Sequence, residues 1–196
     1  MKKLIFMAAM LMAAVGMQAQ ENDYPSMHIG VRAGFSVNHM TGEDLRNLVW
    51  PNGCIAADLR ILKSLPLYVE TGISYMSKGY RNSSGAPEHL HCFNVPLMLS
   101  YHYYLTDKVA IQPFAGCIVG YIGELEGNHP YQRCETAVRL GIGVNYGRFY
   151  LNTGYDLGLT RHAVNYRGLD GGVSNHTRFR NNTFFVTLGF NFVGKR

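Results

Sequence analysis

The sequence predicts an all-β protein, an eight-stranded antiparallel up-and-down transmembrane β-barrel. The first of three supporting observations is the stretch 182–192, where large apolar residues alternate with residues that are mostly small or polar. A period of two is typical of a β-strand. The large apolar residues of this stretch are Phe184, Val186, Leu188, Phe190 and Phe192.

Eight segments with this alternation follow one another along the chain. We expect them at about 28–38, 53–62, 67–78, 91–105, 109–124, 135–146, 149–160 and 182–192. The chain has 22 Gly, 13 Tyr and 10 Phe against one Trp, which favours strands and tight turns over helices. Pro96 lies inside the fourth segment and cannot donate a ladder hydrogen bond, so we expect a bulge there.

The second observation is that short turns and long loops alternate strictly. Outer-membrane barrels have short turns at one end and longer loops at the other, whereas a soluble β-sandwich has no reason to sort its loops by length. Strands of about ten residues also match a tilted membrane span. The expected turns are 63–66, 106–108 and 147–148, and the expected loops are 39–52, 79–90, 125–134 and 161–180.

The third observation is that charged residues lie on the face opposite the apolar rows, among Gly, Ser and Asn. Eight rows of Leu, Ile, Val, Tyr and Phe would overfill the interior of an eight-stranded barrel. We therefore expect the apolar rows to meet lipid and the charges to form a polar network inside. The alternative is a secreted, lipocalin-like soluble barrel with the two faces exchanged. The expected interior residues are Arg32, Asp58, Arg60, Glu70, His102, Arg139 and Asp156.

Aromatic residues in the apolar rows are expected to form two lipid-facing girdles around an aliphatic band. Heights counted from the turns place one group near the outside rim and the other near the periplasmic rim. The outside group is Phe35, Tyr75, Phe93, Tyr121 and Phe184. The periplasmic group is Tyr101, Tyr103, Tyr146, Phe149, Phe190 and Phe192.

Residues 1–19 are expected to be a cleaved signal peptide, followed by one barrel domain over residues 20–196. Lys2 and Lys3 precede the apolar run 4–15, which is too short for a spanning helix. The full chain has 18 Lys and Arg against 13 Asp and Glu, and loss of Lys2 and Lys3 leaves a net charge of about +3. Without a Lys/Arg run, this excess does not indicate a nucleic-acid partner.

No spacing in the sequence predicts a catalytic, cofactor or metal site. Cys54, Cys92, Cys117 and Cys134 show neither a CxxC motif nor a His/Cys metal spacing, and in an exported chain they allow three disulfide pairings. Nothing fixes the geometry of a set such as Ser174, His176 and Glu135, and a triad is recognised by geometry. We therefore expect a non-enzyme without a cofactor.

The chain resembles small outer-membrane barrels of the OmpX/OmpA transmembrane-domain type and, more closely, the PorT-like β-barrel family of Bacteroidota. The matching motifs are IGVRAGF at 29–35, VPLML at 95–99, GIGVNY at 141–146 and TLGFNF at 187–192. The resemblance covers nearly all of the mature chain, and it implies an outer-membrane location but no reaction.

The expected function is a monomeric outer-membrane barrel with a side-chain-plugged interior and a structural or surface-interaction role through its extracellular loops. Its expected partners are outer-membrane lipid and a surface or secretion-machinery protein. Two alternatives stay open: an accessory factor for protein secretion, suggested by the resemblance, and a lipid A-modifying barrel enzyme.

Overall fold

The computed structural model describes residues 24–40, 47–81, 87–123, 133–167 and 173–194. The expected signal peptide lies outside these residues. Within them, no helix has the length and apolar character that crossing a membrane requires. The strands are β1 (Met27–Met40), β2 (Leu48–Arg60), β3 (Leu67–Arg81), β4 (Pro87–Tyr101), β5 (Tyr103–Tyr104), β6 (Val109–Ile122), β7 (Cys134–Tyr146), β8 (Phe149–Gly158), β9 (His162–Arg167), β10 (Val173–Phe179) and β11 (Asn181–Val193).

The main sheet closes into a barrel of eight antiparallel strands, which confirms the predicted fold class. Its order is β4, β3, β2, β1, β11, β8, β7, β6, and the pairing of β4 with β6 completes the ring. The first and last barrel strands pair from Met40 opposite Asn181 to Ile29 opposite Val193, with a register shift between Ile29 and Gly30. Closure leaves no strand of this sheet with an unpaired edge.

The short strand β5 continues β4, so the two count as one barrel strand. Both pair with β6 in the same register, as Leu99 opposite Ala115 and Tyr103 opposite Ile111 show. The bulge predicted at Pro96 is wrong, because Pro96 pairs with Ile118 and the register on β6 does not shift there. Pro96 has no N–H group to donate. The pairing of β4 with β3 is therefore interrupted between Leu97 and Asn94, but the register is the same on both sides of the gap.

The three connections at one end of the barrel are short, as predicted, but the strict alternation of short and long connections does not hold, because residues 82–86 between β3 and β4 are fewer than residues 61–66 between β2 and β3. We call the end with connections 61–66, 105–108 and 147–148 the turn end, and the opposite end, where β1 finishes at Met40, the loop end. Tyr146 pairs with Phe149 across a two-residue hairpin whose Gly147 has a φ of 60°. Several strands reach further into the loop end than predicted: β2 begins at Leu48, and β3 ends at Arg81.

The segment 161–180, predicted as a loop, contains a second, two-stranded sheet, so that part of the prediction is wrong. Strands β9 and β10 pair antiparallel, with His162 opposite Phe179 and Arg167 opposite Val173. β9 begins four residues after β8 ends, and β10 ends two residues before β11 begins. The connection between the barrel strands β8 and β11 thus contains a further hairpin at the loop end.

The barrel has a polar interior and an apolar outer surface. Ser36, Asn38 and Thr183 are 0–1% exposed, whereas Leu188 is 67% exposed and Ile55 is 64% exposed. Among the described residues, Met98, Phe114 and Phe185 form a small buried apolar cluster in this interior. A soluble barrel needs its apolar rows inside, because exposed apolar patches of this extent mark a surface that is covered by lipid or protein. The soluble alternative with exchanged faces is therefore wrong.

Candidate functional site

The first cluster of charges in the barrel interior is built around Arg32 on β1. Its guanidinium donates from Nη1 to Glu70 on β3 and from Nη2 to both carboxylate oxygens of Asp58 on β2, at 3.3 and 3.4 Å. The guanidinium carbon also lies 4.2 Å from the centroid of the Tyr150 ring. All three ionic side chains are at most 9% exposed, so one cation holds two buried carboxylates from adjacent strands.

The second cluster joins the adjacent strands β7 and β8. Arg139 lies directly opposite Asp156 in the ladder. Its Nε donates to Oδ1 at 2.6 Å and its Nη2 donates to Oδ2 at 2.8 Å, which is the bidentate geometry that favours strong charge-assisted hydrogen bonds. The guanidinium carbon is 4.2 Å from the centroid of the Phe185 ring. This contact links the pair to β11.

A third ion pair crosses the barrel, and sequence reasoning did not single it out. Lys78 Nζ on β3 donates to Glu135 Oε1 on β7 at 2.8 Å, although these strands are not neighbours in the sheet. Both side chains are at most 4% exposed. The alternation along each strand does place both residues inside, because Lys78 is on the same face of β3 as Glu70, and Glu135 is on the same face of β7 as Arg139. Alternation predicts the face of a residue, but it does not predict its partner across the barrel.

An aromatic and polar cluster fills the interior near the turn end. The rings of Tyr68 and His102 stack with centroids 3.8 Å apart, and Gln112 Nε2 lies 3.1 Å from His102 Nδ1. The Tyr68 hydroxyl donates to the carbonyl of Pro25 at 2.7 Å, and Tyr24 is buried. The chain segment 24–26, which precedes β1, therefore packs against this cluster, and no sequence pattern had indicated it.

The seven expected interior residues do not form one network. Arg32, Asp58 and Glu70 come together, Arg139 and Asp156 form their own pair, and His102 lies in the turn-end cluster. Arg60 is half-buried near the turn end; it makes no ion pair with any described residue, and its Nη1 is buried without a hydrogen-bond partner.

Little free volume lies between the first two clusters. The cavity there measures about 30 Å³ and is lined by Arg32, Glu70, Cys54, Arg139 and Phe185, among others. About 10–15 Å³ is enough for one water, so this cavity has room for one or two water molecules and no solute. Side chains therefore fill the middle of the barrel.

The expected girdle residues lie on the outward face. Nine of them are at least 36% exposed, and Tyr101 and Phe190 are half-buried. Strand pairing aligns Tyr75, Phe93 and Tyr121 in one row toward the loop end. It aligns Tyr146, Phe149 and Phe190 in another row at the turn end. The nine exposed residues are Phe35, Tyr75, Phe93, Tyr103, Tyr121, Tyr146, Phe149, Phe184 and Phe192.

Cysteine and metal chemistry are not evident in the described part of the chain. None of the four cysteines forms a disulfide within the described residues: Cys92 is buried, Cys54 is half-buried, and Cys117 and Cys134 are exposed. No group of three or more His, Cys, Asp or Glu residues that could hold a metal ion occurs in the described ranges. Of the catalytic set considered above, the side chains of residues 174 and 176 lie outside the description, and Glu135 is engaged by Lys78.

Comparison with known proteins identifies the class of fold. The outer membrane protein OprG from Pseudomonas aeruginosa matches with a TM-score of 0.55 and 11% identity over 87% of this chain and 98% of its own. Outer membrane protein AlkL, solved by solid-state NMR in DMPC bilayers, matches with a TM-score of 0.51 and 14% identity over 89% and 94%. The chain has the fold of the small outer-membrane β-barrels.

The comparisons give no finer assignment. No protein-family model matches the chain, and no curated protein sequence matches it. The PorT-like resemblance and the link to Bacteroidota therefore stay predictions.

Proposed function

We propose that this protein resides in the outer membrane as a closed barrel, and that it anchors its loop end at the cell surface for contact with other molecules. The observation that carries the proposal is the combination of an apolar outer face with an interior filled by paired charges. The mature chain would begin at Gln20, after cleavage of the signal peptide.

The apolar outer face supports insertion into lipid. Val31, Ile73, Val95, Leu97 and Leu140 are 41–64% exposed, and their strands belong to a closed ring. In hydrocarbon every backbone polar group needs an internal partner, and closure supplies partners to all strands of the ring. A barrel closed within one chain needs no second copy, which favours a monomer.

The filled interior argues against a role as an open pore. Among the described residues, three separate groups of paired charges lie in the lumen, and one of them, Lys78–Glu135, spans it between non-adjacent strands. Buried charges that are paired in this way are not available to bind a permeating ion, and breaking such a pair is costly. We infer that the barrel acts by anchoring and presentation, without catalysis.

The loop end is the part that would meet partners. The hairpin β9–β10 adds a further sheet there, and the segment 161–180 has four Arg against one Asp. Surface or secretion-machinery proteins are the partner class that we propose, and affinity capture from crosslinked cells, with and without residues 162–179, would test it. A partner captured equally well without the hairpin would show that this element is not the contact.

The test of the whole proposal combines three measurements on the mature protein. It should fractionate with the outer membrane and migrate at different apparent masses before and after boiling, because a closed sheet resists detergent. In planar bilayers it should show no steady conductance, with a porin as positive control. Recovery from the soluble periplasm with unchanged migration would refute the membrane location. A large steady conductance would refute the closed interior and leave the location intact.

A further inference from the structure

A second cavity opens at the turn end and differs from the small central one. It measures about 180 Å³, many times the volume that a single water needs. Its buried part includes His28, Ala110 and Asn145, and its mouth includes the exposed residues Lys108 and Arg148. The cavity is thus a pocket with a polar floor that opens at the turn end.

The buried floor of this cavity carries polar atoms without partners. His28 is 5% exposed, and neither of its ring nitrogens has a hydrogen-bond partner. Asn145 is 7% exposed, and its Oδ1 likewise has no partner. A neutral imidazole offers one donor and one acceptor, and an amide oxygen is an acceptor. A hydroxyl group both donates and accepts, so hydroxyls are the groups that would satisfy this floor.

The mouth of the cavity has two cationic residues, Lys108 and Arg148, on turns that are tied by backbone hydrogen bonds. Gly147 N–H donates to the carbonyl of Lys108 at 2.7 Å, and Asn191 N–H donates to the carbonyl of Arg148 at 2.8 Å. The first bond joins the turn 105–108 to the turn 147–148, and the second joins the turn 147–148 to β11, so the backbones of Lys108 and Arg148 are held at the same rim. Asp107 also lines the mouth, which leaves a net charge of +1 among its charged residues.

We propose that the turn-end cavity binds a small hydroxylated anion, with its phosphate or carboxylate at Lys108 and Arg148 and its hydroxyls at His28 and Asn145. A cationic rim lies beside a floor of polar atoms without hydrogen-bond partners, and this arrangement favours a ligand that has both an anionic group and hydroxyl groups. This proposal is independent of the membrane function above, because it requires only the folded barrel.

The test uses the mature chain folded in detergent micelles and titrated with glycerol 3-phosphate. NMR would follow the amide of the exposed Gly147 and the imidazole of the buried His28, both of which line the cavity. Both signals should shift saturably, and glycerol 3-phosphate should bind at least tenfold more tightly than inorganic phosphate or glycerol. A parallel titration with glycerate would show whether a carboxylate serves in place of the phosphate.

Three variants separate the two parts of the site. The double variant Lys108→Gln with Arg148→Gln should weaken glycerol 3-phosphate at least tenfold, whereas Lys63→Gln, at an exposed position of the turn 61–66, should not change its affinity. His28→Phe should weaken glycerol 3-phosphate but leave inorganic phosphate unchanged. Shifts that do not saturate, an equal effect of Lys63→Gln, or inorganic phosphate binding as tightly as glycerol 3-phosphate would each overturn the proposal.

Discussion

Removal of Arg139 is the perturbation whose cost follows most directly from the geometry. The Asp156 side chain is 2% exposed and is held by two hydrogen bonds of 2.6 and 2.8 Å from Arg139. Arg139→Ala leaves this carboxylate buried without its cation, which typically costs about 3–5 kcal/mol. The free energy of unfolding should fall by that amount, which corresponds to a factor of about 10² to 10⁴ in the folding equilibrium.

Urea unfolding in lipid vesicles, followed by circular dichroism, measures this loss. The double variant Arg139→Met with Asp156→Leu removes both charges and should recover most of the stability, because an apolar replacement of a buried pair is often neutral. Arg161→Ala, at an exposed arginine, serves as control and should stay within about 0.5 kcal/mol of the parent. A loss below about 1 kcal/mol for Arg139→Ala, or a double variant as unstable as the single one, would refute the reasoning.

Three further predictions concern other parts of the barrel. Lys78→Met leaves Glu135 buried and unpaired, so the unfolding free energy in urea should fall by about 3–5 kcal/mol; parent-like stability would exclude a buried cross-barrel bridge. In vesicles a water-soluble maleimide should label Cys134, beside Tyr121 in the aromatic row near the loop end, much faster than Cys117, which lies between Leu97 and Val138 on the apolar face; equal labelling of Cys117 would place that face in water. In Gly147→Ala the added Cβ meets no atom within 4 Å, but alanine must adopt the φ of 60°, so the unfolding free energy in urea should fall by about 1–2 kcal/mol; an unchanged value would contradict this backbone strain.

The strands and their two faces could be predicted because alternation is a local property of the chain. On β11 Phe184, Leu188 and Phe192 are outward, and Thr183 and Thr187 are buried. Loop and turn lengths then gave the order of the strands around the ring. The volume argument placed the apolar rows outside, since an eight-stranded interior cannot hold them.

The partners within the lumen could not be predicted, because they depend on the stagger of strands that are distant in sequence. Alternation places Lys78 and Glu135 inside, but nothing local brings them within 2.8 Å across the barrel. Arg60 was expected among the ion pairs, yet its position near the end of β2 leaves it apart from them. The packing of Tyr24 at the turn end follows no periodic pattern either, since this residue precedes the first strand.

The hairpin β9–β10 was missed for a different reason. The segment 161–180 is rich in Gly, Asn, His and Arg, which is typical of a loop. Its Asp170-Gly171 dipeptide is a hairpin-turn signal, and strand-forming residues such as Val164 and Tyr166 precede it. Composition outweighed this local signal in the prediction.

The central claim, that the apolar outer face lies in a lipid bilayer, is tested most directly by placing a charge on that face. Leu188 is 67% exposed between the two aromatic rows, and Ile61, in the connection after β2 at the turn end, is 49% exposed. In lipid vesicles Leu188→Arg should lower the unfolding free energy by about 2–4 kcal/mol, and Ile61→Arg by only about 0–1 kcal/mol, because the cost of a buried arginine falls toward the interface. Equal, small losses for the two variants would contradict a membrane-embedded barrel.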